Sequence, residues 1–143
     1  MSTPSVSLQV ERTIANSILP NQNVVFDVIN NIGIDIAYDN ATGIVTFSRV
    51  GKYLVTWWVA TQSSTSSTGA EFGIQGTNIT PLVTGNSPFK TGQLSGFAVI
   101  NATDAPATLS LVNNTTAEFW LAPTVPIKAS LGIISYKEIL NID

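Results

Sequence analysis

The stretch Lys52-Tyr53-Leu54-Val55-Thr56-Trp57-Trp58-Val59-Ala60-Thr61-Gln62 is strand chemistry with apolar side chains on both alternating faces. Tyr53, Val55, Trp57 and Val59 fall on one face, and Leu54, Trp58 and Ala60 on the other. A strand with one face in water alternates apolar with polar residues. This one needs a cover on its second face, and a second copy of the chain is the ordinary cover.

Outward from that stretch the sequence continues in short strand-like runs. Ser5–Glu11 alternates, with Val6, Leu8 and Val10 on one side, and 13–22 reads as a connection. Val24–Ile29, Ile32–Tyr38 and Ile44–Ser48 follow, with a turn at Asp39-Asn40-Ala41-Thr42-Gly43 and a tight one through Arg49-Val50-Gly51. After the polar loop 63–68 come Ala70–Gln75, Ile79–Val83 and a loop at 84–91. Leu94–Asn101 and Ala107–Asn113 are expected to pair across Thr103-Asp104-Ala105-Pro106. Ala117–Leu121 precedes Ile127–Tyr136, which is again apolar on both faces. Helical periodicity is absent. About ten short strands at this spacing predict an all-β sandwich or barrel. With no repeat and no linker, residues 1–143 are expected to form one domain.

Composition narrows the function. Of 143 residues, 44% are apolar and only 10% charged, well under the ~25% of an average soluble domain. No run approaches the ~18 apolar residues of a membrane helix, so membrane insertion is not expected. The six basic residues are scattered and the net charge is −3, which argues against nucleic-acid binding. There is no His and no Cys, which removes Ser-His-Asp and Cys-His catalysis and most zinc, copper and haem sites. No cofactor is expected. The residual catalytic option is a carboxylate pair among Asp27, Asp35 and Asp39, acting on a glycosidic bond or holding calcium. The simpler account is turn initiation at Asp39 and solvation of the others. Asn40, Asn78, Asn101, Asn113 and Asn114 begin Asn-x-Ser/Thr sequons and read as turn residues. The N-terminus has neither a basic region nor an apolar core of the secretory kind.

One region is more specific. Phe26-x3-Asn30 is followed by Tyr38-Asp39-x2-Thr42-Gly43-x2-Thr46-Phe47-x3-Gly51-x-Tyr53-x3-Trp57. This spacing resembles the signature of the complement-component-q globular head, in the TNF-like jelly-roll superfamily. The run 45–62, with Phe72-Gly73-Ile74-Gln75-Gly76 and the closing Ala129-Ser130-Leu131-Gly132-Ile133-Ile134, is similar to the C-terminal domain of collagen-like glycoproteins of the bacterial spore exosporium, the BclA type. The resemblance spans about 23–137, leaving 1–22 as a first strand and connection. It implies a ten-strand jelly roll, a stable homotrimer, and a place at the spore surface reached from the mother cell without a secretory signal. It transfers no catalytic residue. No Gly-X-Y repeat accompanies it here. Tyr53, Trp57, Trp58, Leu131, Ile133 and Tyr136 are the candidates for core and trimer contact. Spore-surface proteins and host or glycan receptors are the further partners to consider. The alternative function is a trimeric receptor- or glycan-binding head of a phage tail fibre or lectin-like surface protein.

Overall fold

A computed structural model describes residues 6–136. Its strands are β1 (Ser7–Arg12), β2 (Ser17–Ile18), β3 (Val28–Ile32), β4 (Ile36–Asp39), β5 (Ile44–Phe47), β6 (Gly51–Ser64) and β7 (Ala70–Gln75). They continue as β8 (Ile79–Thr80), β9 (Thr84–Ser87), β10 (Gly92–Ala102), β11 (Ala107–Asn113), β12 (Phe119–Leu121) and β13 (Ala129–Tyr136). The described residues thus hold thirteen strands against the ten expected, three of them of only two or three residues.

Two antiparallel sheets face each other. One has eight strands, ordered β2-β12-β6-β13-β1-β3, with β10 on the free edge of β6 and β8 beyond it. The other has five, ordered β4-β5-β11-β7-β9. β6 is long enough to hold β13 over Lys52–Val59 and β12 over Thr61–Ser64 along the same edge. Between the sheets lies one apolar core, in which Phe26, Phe47, Tyr53, Trp57, Phe72 and Phe119 are the bulky members. Burying each such side chain contributes about 1.5–3 kcal/mol.

Several sequence expectations change: Val24–Ile29 is strand only from Val28, Ile79–Val83 only over Ile79–Thr80, and three further departures have structural causes. β10 and β11 do not form a hairpin: β10 pairs with β6 and β8, and β11 with β5 and β7 in the opposite sheet. The corner between them is tied instead to the 76–79 corner. Thr103 N–H donates to Asn78 O at 2.8 Å, and Asn78 Nδ2 donates to Pro106 O at 3.0 Å. Pro106 has no N–H to close a hairpin ladder. Second, 32–38 is not one strand, because Asp35 takes φ 58° and breaks it after Ile32. Third, part of the expected loop 84–91 pairs with β7 as β9, through Ala70↔Ser87 to Gly73↔Thr84. Ser5 and Lys137 fall outside the described residues.

Arg12 shows how the sheet turns its corner. Its guanidinium is buried and donates to the carbonyls of Ile14 (2.8 Å), Val25 (2.9 Å) and Ala15 (3.4 Å). Burial lowers its pKa, and the charge of Asp27 opposes that shift. Three carbonyls of irregular backbone thereby gain donors they would otherwise lack.

Candidate functional site

The carboxylates Asp27, Asp35 and Asp39 are the one catalytic option of the sequence. Asp27 accepts from the Thr13 amide at 2.7 Å and from the Thr13 hydroxyl. Asp35 pairs with Arg49 at 2.6 Å. Asp39 accepts from the Ala41 amide at 2.9 Å and starts its turn. Each is engaged separately and locally. Among the described residues, no three His, Cys, Asp or Glu side chains gather where a metal ion could sit. The sequons are likewise structural where they are buried: Asn113 donates to Ile18 O and Ala117 O and accepts from Thr115 N–H.

The motif residues are also scaffold. Tyr38 Oη accepts from Phe26 N–H at 2.6 Å and donates to Phe26 O at 3.2 Å, so one side chain pins both backbone groups of a crossing segment. Tyr53 Oη donates to Arg49 O at 2.5 Å, and its ring lies 4.5 Å from that of Phe47. Burial raises the pKa of both tyrosines, so both stay protonated and can donate.

What remains is a surface: the face of the eight-stranded sheet turned away from the core. The registers define it in transverse rows. Ser95, Trp58, Ser130 and Glu11 form one row, and Phe97, Thr56, Gly132 and Gln9 the next. Val99, Leu54, Ile134 and Ser7 form a third, and Asn101, Lys52 and Tyr136 a fourth. Phe97, Val99, Ile134 and Tyr136 are exposed, and Leu54 and Trp58 half-buried. The charges, Glu11 and Lys52, stand at the margins. An apolar patch with a polar rim is the anatomy of an interaction surface.

The six residues singled out from the sequence divide between the two faces. Tyr53, Trp57, Leu131 and Ile133 lie in the core of a single chain. Trp58 and Tyr136 lie on the outer face. Phe97 and Val99 are not among the six. Yet Leu94-Ser95-Gly96-Phe97-Ala98-Val99-Ile100 has the same two-faced pattern as 52–62, and that pattern is the signal by which they can be found. Gly96 separates the two roles within this strand: a Cβ there would lie 2.5 Å from the Trp57 indole packed beneath it.

No family model and no curated protein matches the sequence. Solved structures do match. The Eiger TNF of S. frugiperda superposes with a TM-score of 0.65 at 14% identity, over 97% of this chain and 97% of that one. The globular domain of zebrafish complement 1qA protein gives 0.59 at 15% identity, over 95% and 99%. PRD1 vertex protein P5 gives 0.60 at 16% identity, over 96% and 99%. The fold is therefore the TNF-like, complement-q-like jelly roll.

Proposed function

We propose that this chain is a non-enzymatic, trimer-forming structural domain of a collagen-like protein of the bacterial spore surface. The observation that carries the assembly is the apolar outer face of the eight-stranded sheet, built by β6, β10 and β13. The jelly-roll family that the sequence resembles assembles as trimers, and this face gives the chain a physical reason to do so. The spore location rests on the similarity of residues 45–76 and 129–134 to exosporium glycoproteins. Mother-cell synthesis accounts for delivery to that surface.

Light scattering on the purified chain at micromolar concentration is expected to give the mass of three chains. A monodisperse single chain removes the reading. Immunolabelling that leaves the outer spore layer blank removes the location while sparing the assembly.

A second reading, a receptor- or glycan-binding head, is favoured by one feature. The loops after β6 and β9 meet at one pole, where Phe89 is 70% exposed, while Val6 and Tyr136 lie toward the opposite pole. A glycan array without selective hits would dismiss it.

A further inference from the structure

The outer face carries a knob and a notch in the same transverse row. The knob is Phe97 on β10, 66% exposed. The notch lies on the far side of Thr56, where Gly132 contributes no side chain. It measures about 270 Å³ and is bordered by Gln9, Leu54, Thr56, Gly132 and Ile134. A cavity of ~150 Å³ lined by aliphatic groups is enough to hold a benzene. The notch is an open groove of more than that volume, and its walls mix aliphatic groups with small polar ones.

We propose that Phe97 of one chain seats in the Gly132 notch of the next, around a closed three-fold ring. This rests on the trimer reading above and adds its contact geometry. Phe97 and Gly132 of the same chain are separated by two strand spacings, about 10 Å. A chain therefore cannot fill its own notch from a strand that is rigidly paired to β6. In the ring each chain offers its knob to one neighbour and its notch to the other, which is a heterologous contact that closes. The charges fit this arrangement, since neither Glu11 nor Lys52 lies in the Phe97–Gly132 span of the row. Leu54 and Ile134, on the next row, are placed to cover one edge of an inserted ring. The notch is open because of one residue. A Cβ at Gly132 would come within 3.1 Å of Thr56 Oγ1, and a branched side chain would occupy the space a neighbour's ring needs.

The absence of cysteine makes the test clean. In F97C/G132C, oxidised under native conditions, the denaturing gel is expected to show covalently linked trimers. Either single variant should show none. An intrachain bond is excluded, because a disulfide does not span Cα atoms more than ~7 Å apart. Covalent dimers as the limiting product would mean a two-fold contact and overturn the ring. Uncrosslinked chains, together with F97A and G132V variants that still assemble as three, would overturn the seating of Phe97 and leave the trimer standing. A wild-type protein of one-chain mass would overturn both. As a second line, F97A and G132V are each expected to weaken assembly at least a hundredfold with the circular dichroism of the folded chain retained. Unchanged assembly in both variants would also overturn the seating.

Discussion

Gly43 shows what the motif residues do. It adopts φ +79°, a region that L side chains seldom enter, and its amide donates to Asp39 O at 2.8 Å to close the turn. A Cβ there would lie 2.7 Å from Val24 O, which is backbone and cannot swing aside. Gly43→Ala therefore combines left-handed strain with a clash. The expected cost is about 1–3 kcal/mol, read as a lower denaturation midpoint with the assembled mass unchanged. An unaltered midpoint would show that the turn is not held in this conformation. Tyr38 and, at the far end of the β4–β5 hairpin, Phe47 and Tyr53 act at the same scale, by hydroxyl bonds and ring contact. The spacing that made the sequence resemble a family is thus the spacing of one hairpin fastened at both ends to the segments around it. None of these residues touches the outer face.

At the scale of the element, β13 separates core from surface by a single step. Ile133 is 3% exposed and Ile134 is 48% exposed. Ile133→Asp places a carboxylate among Val55, Leu8 and their neighbours without a partner, at a cost of several kcal/mol. It is expected to yield insoluble or unfolded protein, as is Tyr53→Asp. Ile134→Asp is expected to leave the chain folded but monomeric. Gel filtration with circular dichroism distinguishes the two outcomes. Equal behaviour of the two variants would mean the faces are wrongly assigned. The two-faced pattern of 52–62 and 127–136 was legible because a period of two sorts residues without knowledge of the partner strand. Which strand lies alongside was not legible. β10 and β11 are adjacent in sequence and alternate well, yet their hydrogen bonds go to different sheets.

At the scale of the whole molecule, assembly and folding are linked by mass action. If three chains fold and associate together, a hundredfold rise in concentration stabilises each chain by about (2/3)RT ln 100, or ~1.8 kcal/mol. Melting should then rise by roughly 4–7 °C for a chain of this size. The rise should be nearly independent of salt, since the charges on the face lie at its margins. Melting that does not move with concentration would mean the chains fold alone and that the outer face adds little. Steep salt dependence would point instead to contacts through the charged margins.

Residue identity and spacing alone established the strand-rich class, the loss of His- and Cys-based chemistry, and the need for a cover on a second apolar face. These follow from residue identity and from a period that every strand obeys. Which residues make that face, and where it is hollow, came from the pairing of strands. Phe97 gains its role from standing across β6 from β13. The notch exists because β1, β6 and β13, far apart in sequence, bring Gln9, Leu54, Thr56 and Gly132 side by side. A local pattern fixes which way a side chain points relative to its own strand. Its neighbours across the sheet are set by long-range pairing, which no local pattern encodes.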